Sequence, residues 1–326
     1  MREIRYREAV REALAEELAR DPRVFVMGEE VGHYNGAYKV TEGLLARFGD
    51  KRIVDAPIAE AGFAGIGVGA AMVGLRPVIE FMTWNFSAVA FDQILNNAAK
   101  LYQMSGGQYH VPIVFRGPNG AARQVAAQHS HSMDPFYVNI PGLYVVAPST
   151  PRDAKGLLKT AIRDDNPVIF LEGETLYSVK GEVPDADADE CIPLGRARIA
   201  RAGDDVTLVG WGPAVLDLLA AAETLQADHA ISAEVIDLRS LVPLDMETVL
   251  TSVRKTGRCV VASQAVLIGS FVNEIVARVQ LEAFDYLDGP VGRIGAANGI
   301  SPQAEGLERA FLPNATDVVS AVLALV

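Results

Sequence analysis

Cysteine is nearly absent from this 326-residue chain, and its two examples, Cys191 and Cys259, stand far apart. Two isolated thiols offer neither a disulfide framework nor the ligand spacing of a zinc site, so a reducing cytoplasm is the simplest setting. Positive charge is also scarce: 29 Lys and Arg face 41 Asp and Glu, for a net charge of −12. A surface of that sign repels nucleic acid and anionic membrane and favours a basic protein partner. No long hydrophobic run is evident either. The uncharged stretch from Ala61 to Leu75 is crowded with glycine and is shorter than the roughly 20 apolar residues that span a membrane. The opening MREIRYREAVREALAEELARD lacks the continuous apolar core of a secretory signal and reads as an amphipathic helix. Internal repeats are missing, which sets aside solenoids and propellers.

What is present suits one or two globular domains with large cores, since half of the residues are hydrophobic and 21% are charged. Short β-rich runs, VFVMG at 24–28, RPVIEFM at 76–82, VPIVFRG at 111–117, LYVVAPS at 143–149 and PVIFLE at 167–172, alternate with helical patterns over 87–102 and 151–163. That alternation predicts βαβ units and a largely parallel sheet buried on both faces. The acidic stretch SVKGEVPDADADE at 178–190 has almost no apolar periodicity and reads as a linker or exposed excursion. Beyond it the pattern resumes with DVTLVGWGPAVLDLLAAAETL, SAEVIDLR, CVVASQ and GSFVNEIVARVQLEAF. The reading is an α/β fold of two domains, 1–185 and 195–326.

Three segments carry polar or aromatic residues that a core alone does not require. In DAPIAEAGFAGIGVGAAMVGLRPVIEF, Glu60 follows a strand and precedes a Gly/Ala-rich helix, where a carboxylate is favourable beside the helix dipole whether or not it is catalytic. A dinucleotide fingerprint does not fit, because no acidic residue follows about 20 positions later at a strand end. His129 and His131 lie in the long polar stretch after VPIVF, where α/β proteins place binding loops. No third ligand stands nearby to make a metal site of them. Phe81, Trp84, Phe86 and Phe91 are open to two readings, core packing or a platform for a heteroaromatic ring.

Taken in order, DAPIAEAGFAG, GLRPVIEFMTWNF, DQILNNAAKLYQMSGGQ, VPIVFRGPNGA, AAQHS, IPGLYVVAPSTPRDAKGLLKTAIRDDNPVIFLE and PLDMETV resemble the β subunit of the thiamine-diphosphate-dependent decarboxylating component of pyruvate dehydrogenase, within the 2-oxo acid dehydrogenase family. The resemblance implies a transketolase-like pyrimidine-binding domain followed by a transketolase C-terminal domain. It implies that Glu60 hydrogen-bonds a pyrimidine ring nitrogen of the cofactor, that Phe86 packs on that ring with Trp84 and Asn85 nearby, and that the loop residue His129 serves proton transfer or lipoyl positioning. It also implies a structural potassium ion held at Ile113, Ala161, Ile162, Asp164 and Asn166.

Nothing in the chain resembles the GDG-plus-Asn motif that binds magnesium and diphosphate in thiamine enzymes. By the resemblance that half comes from an α subunit, in an assembly of two α and two β chains. The family further implies docking to the subunit-binding and lipoyl domains of a dihydrolipoyl acyltransferase, here expected at the acidic residues Glu282, Asp285 and Asp288. The alternatives are the β subunit of a branched-chain 2-oxo acid or acetoin dehydrogenase, or a non-catalytic assembly subunit. Two departures from the family pattern stand out: the segment 263–270, SQAVLIGS, and His131 where glutamine is usual.

Overall fold

A computed structural model describes all residues except 122, 123, 186 and 187. The chain divides into two compact units. The first comprises 1–119, 136–146 and 150–194; the second comprises 120–135, 147–149 and 195–326.

The first unit is built on parallel strands: β2 (Val24–Gly28), β3 (Ile53–Asp55), β4 (Arg76–Glu80), β5 (Val114–Asn119), β6 (Tyr144–Val146) and β7 (Val168–Gly173). They lie in the order β6-β7-β5-β4-β2-β3, and every neighbouring pair is parallel. Most of their apolar side chains are buried, as a sheet covered on both faces requires. Between β3 and β4 runs helix α2 (Glu60–Met72), and between β6 and β7 runs α3 (Pro151–Arg163). The start of α3 is set by Thr150, whose hydroxyl accepts from the Asp153 backbone N–H at 3.1 Å, and by a proline in its first turn. The stretch 87–102, expected as one helix, is instead a 3₁₀ turn at Trp84–Ala88, a π-helical stretch at Gln93–Ala98 and a short helix at Leu101–Met104.

The opening segment forms strand β1 (Arg2–Arg5) and the amphipathic helix α1 (Tyr6–Arg20). Part of the stretch read as a linker is ordered by it, for β8 (Lys180–Val183) pairs antiparallel with β1. Isolated strand propensity could not reveal this, because the pairing partner is some 180 residues away in sequence. Helix α1 packs on α3 through a ladder of charges. Lys155 reaches Glu12 at 3.1 Å and Glu16 at 2.7 Å, Lys159 reaches Glu16 and Asp189 at 2.7 Å, and Arg163 reaches Glu17 and Asp189 at 2.6 Å. Lys155, Lys159 and Glu17 are buried, so the pairing offsets their desolvation.

The second unit has a five-stranded sheet: β9 (Arg198–Arg201), β10 (Val206–Gly210), β11 (Ala233–Asp237), β12 (Cys259–Val266) and β13 (Gly292–Ala296). Its order is β13-β12-β10-β11-β9, parallel except for the edge strand β9. Helices α4 (Ala214–His229), α5 (Met246–Thr256), α6 (Val272–Glu282) and α7 (Ala315–Leu323) accompany it. Its core joins Val206, Leu208, Leu218, Val235, Val260 and Val318.

Arg163 and Arg20 are the partners of the buried Glu17 carboxylate. Arg163→Met, which leaves Glu17 with Arg20 alone, is expected to lower the unfolding free energy by roughly 2 kcal/mol in urea titration; a loss within about 0.5 kcal/mol, the range of an ordinary surface change, would contradict this role.

Candidate active site

The carboxyl ends of β2, β4 and β7 gather an unusual density of buried charge. Glu29 follows β2, Glu80 ends β4, Glu172 lies near the end of β7, and Glu60 opens α2; all four are buried. Among the described residues the cation set with them is Arg116 of β5, also buried. It grips Glu172 through Nε and Nη2, the latter at 2.6 Å, and reaches Glu80 through Nη1. Tyr177 adds a hydroxyl donor to Glu172 at 2.8 Å. Burial alone would lower the Arg116 pKa, but the two carboxylates outweigh it and hold the guanidinium charged.

Glu60 and Glu29 meet. The Glu29 carboxyl is pushed up to about 7, first by burial and then by the adjacent Glu60 carboxylate, with which it shares a hydrogen bond. When protonated, the Glu29 carboxyl can donate across this pair to a Glu60 oxygen. The Glu29 Oε1 atom is buried without a hydrogen-bond partner, an acceptor left for a group that the chain itself does not supply. Two glycines let the strands close around this cluster: a Cβ at Gly28 would stand 2.6 Å from the Glu80 carbonyl oxygen, and one at Gly117 would stand 2.3 Å from that of Phe81.

Phe86 and Asn85 lie on the 3₁₀ turn after β4, both half-buried. Trp84, grouped with them by sequence, is fully buried, with its ring 5.5 Å from Phe81 and 5.1 Å from Tyr137. Tyr137 donates to the Ser87 hydroxyl at 2.6 Å, which donates to the Trp84 carbonyl at 2.5 Å, and this chain pins the turn that presents Phe86.

At the end of α3 the expected ion-binding backbone is organised. Asp164 accepts from the Asn166 backbone and side-chain amides, both at 2.8 Å. Arg76 donates to the carbonyls of Ile162 at 3.0 Å and Asp164 at 2.8 Å, and the Ile113 carbonyl accepts from Val168 at 2.9 Å.

His129 belongs to the second unit, in the segment 120–135, so the first unit holds Glu60 and Phe86 but not the histidine. That segment is anchored at one end by Glu308, which accepts from the Gln124 amide, and at the other by buried Asp134, to which the Trp211 indole donates. Burial pushes the Asp134 carboxyl up to about 7. The unusual 263–270 segment bears on the same loop, since a Cβ at Gly120 would stand 2.6 Å from Gln264 Oε1. Of the acidic trio expected to dock a partner, Glu282 pairs with Arg278 at 2.8 Å and Asp288 with Arg258 at 3.4 Å. Phe284 and Tyr286, between them in sequence, are exposed.

Sequence reasoning passed over Glu29, Glu80, Arg116 and Glu172. The signal was available for Arg116 and Glu172, each a charge inside an apolar strand, where only a buried partner explains it.

The linkage at Glu29 has a definite sign. Its carboxyl rises from an ordinary 4.5 to about 7 on folding, so the stability it contributes is complete below the lower value and is lost as pH rises through the higher. The difference in urea midpoint between the wild type and Glu29→Gln is expected to move against the wild type across that window. A difference constant with pH would contradict a proton held at Glu29.

Comparison with known proteins identifies the family. Residues 2–180 match the family model described as "Transketolase, pyrimidine binding domain", and residues 195–318 match "Transketolase, C-terminal domain". The chain is 55% identical, over 98% of its length and 69% of the relative's, to the pyruvate dehydrogenase E1 component subunit beta of Rhizobium meliloti (strain 1021). It is 53% identical to that of Rickettsia bellii (strain RML369-C), covering 98% of both chains, and 52% identical to the mitochondrial beta-1 subunit of Arabidopsis thaliana, covering 98% of this chain and 88% of the relative. A solved structure described as a split gene transketolase, inactive beta4 tetramer, superposes with a TM-score of 0.81 at 26% identity, covering 99% of this chain and 98% of that one. The chain belongs to the family of pyruvate dehydrogenase E1 component β subunits, built from a transketolase pyrimidine-binding domain and a transketolase C-terminal domain.

Proposed function

We propose that this chain supplies the pyrimidine-binding half of a thiamine diphosphate site that an α subunit completes, in an assembly of two α and two β chains. The α chain would hold the diphosphate and magnesium. The domain bounds proposed are 1–185 and 195–326, and the proposed location is the cytoplasm. Among the described residues no helix is long and apolar enough to cross a membrane.

The observation that carries the reading is the buried Glu60–Glu29 pair, with its orphaned Oε1, at the start of α2. An acid pair with a spare acceptor fits a heteroaromatic ring bearing both a ring nitrogen and an exocyclic amine. When bound, thiamine diphosphate supplies the electron sink for the carboxyl group that pyruvate loses. In this reading Glu60 holds the pyrimidine ring nitrogen, Glu29 holds a proton beside it, and Phe86 and Asn85 orient the ring. His129 moves a proton as the acetyl group passes to lipoamide.

The carbonyls of Ile113, Ala161, Ile162, Asp164 and Asn166 would hold potassium. The last turn of α3 leaves carbonyls without helix partners, at the negative end of the helix dipole. Each carbonyl has two lone pairs, so those that accept from Arg76 or Val168 keep one for an ion. Docking of a basic acyltransferase domain would rest on Asp285 for steering and on Phe284 and Tyr286 for buried area, because Arg278 and Arg258 already neutralise Glu282 and Asp288.

Glu60→Gln, in complex with the α chain, is expected to slow hydrogen–deuterium exchange at the thiazolium carbon by a factor on the order of 10² or more; an unchanged rate would sink the assignment. His129→Ala should depress acetyl transfer to lipoamide well beyond its effect on decarboxylation with an artificial electron acceptor. Equal losses in both assays would assign the histidine a purely structural role. For docking, Asp285→Lys is expected to weaken binding of the acyltransferase domain by roughly threefold in calorimetry at low salt, with the gap closing as salt rises. Affinity indifferent to both the substitution and the salt would place the contact elsewhere.

A further inference from the structure

We propose that Glu308 is a positioning residue that, through the backbone of 124–129, sets the place of His129 for the transfer of the acetyl group. The short helix Glu305–Phe311 that carries it is turned against the usual pattern. Its acid Glu308 is 7% exposed, whereas the adjacent Leu307 is 62% exposed. Burying a carboxylate while leaving a leucine in water costs free energy that the helix alone does not recover, so the carboxylate serves a contact outside it. That contact is the backbone of the His129 segment: both Glu308 oxygens accept from the Gln124 N–H at 3.1 Å. The helix is itself anchored, since the Ala297 N–H just beyond β13 donates to the Phe311 carbonyl at 2.9 Å.

The residue it grips is one that needs holding. Gln124 has φ +66° and Ala126 φ +65°, left-handed backbone that residues with a Cβ adopt only at a cost. Such conformations persist where the surroundings enforce them, and a charge-assisted bond to the first of the two does so here. The strained backbone leads directly to the histidine, because the Ala126 carbonyl accepts from the His129 N–H at 3.2 Å and closes the turn 126–129. Beyond His129 the segment is fixed independently: Ser130, Ser132 and Asp134 are buried, and the Trp211 indole donates to Asp134. Glu308 therefore governs the stretch from Gln124 to His129, and all of these residues belong to the second unit.

The inference rests on the acetyl-transfer reading of His129, and its first measurement does not depend on that reading. Hydrogen exchange of the full chain, followed by mass spectrometry, is expected to run about tenfold faster over 124–129 in Glu308→Ala than in the wild type, with β10 and β11 unchanged. Glu308→Gln keeps an acceptor for the Gln124 amide and should restore most of the protection. In complex with the α chain, Glu308→Ala should lower acetyl transfer to lipoamide roughly tenfold and decarboxylation with an artificial electron acceptor by less than about twofold. Combined with His129→Ala, it should cost no more transfer than His129→Ala alone, since both act through one side chain. Where Glu308→Ala fails to fold, Glu308→Asp, whose carboxylate stops a methylene short of the amide, carries the same test with smaller effects. Unchanged exchange over 124–129, or equal losses in the two half-reactions from Glu308→Ala when His129→Ala divides them, would overturn the inference. Equal losses in His129→Ala would instead overturn the reading of His129, and with it the catalytic consequence of Glu308, while the exchange result stands.

Discussion

A buried guanidinium shared by two carboxylates, beside the further buried carboxyls of Glu29 and Glu60, is the constraint on which the candidate site depends. Arg116 joins β4, β5 and β7 through Glu80 and Glu172, and it does so in a sheet covered on both faces. Burying that many charges is costly, and truncating Arg116 would leave Glu80 and Glu172 without their cation in a medium that cannot hydrate them. Burial and the adjacent Glu60 push the Glu29 carboxyl up to about 7, and a carboxyl titrating near neutral pH beside another is the equipment of acid–base chemistry. The electrostatics that strain the fold and those that serve the site are the same interactions.

The rest of the first unit reads as support for this arrangement. Strands deliver Glu29, Glu80 and Glu172 to one edge of the sheet, where α/β proteins bind ligands. Glycines at 28 and 117 remove the side chains that would hold the strands apart. The Tyr137–Ser87–Trp84 chain fixes the turn that carries Phe86, and the charge ladder between α1 and α3 locks the helix whose C-terminal carbonyls face Arg76. In the second unit, Asp134 and Glu308 tie down the segment that bears His129.

Much of this was legible in the sequence because α/β architecture writes itself in continuous apolar runs and helical periods. The strand VFVMG and the helix from Pro151 to Arg163 emerge at the positions read, the latter because Thr150 and Pro151 mark its start chemically. The stretch 87–102 was misjudged because its apolar spacing suits a helix while its backbone breaks into 3₁₀ and π turns that no periodicity distinguishes. The acidic stretch 178–190 is exposed over much of its described length, as read, but its strand exists only through pairing with β1, and its Asp189 pairs with Lys159 and Arg163. Resemblance singled out Glu60, but Glu29 and Glu80 became visible only once parallel register set Gly28 beside Glu80. Charge clustering across strands is a property of the fold and leaves no local pattern.

The central claim is that this chain holds the pyrimidine end of a cofactor site and is catalytically silent by itself. Release of labelled carbon dioxide from pyruvate, measured for this chain alone, for the α subunit alone and for the two together with thiamine diphosphate and magnesium, tests it most directly. The account predicts release only from the mixture. Release by this chain in isolation, or an α subunit equally active without it, would contradict the account.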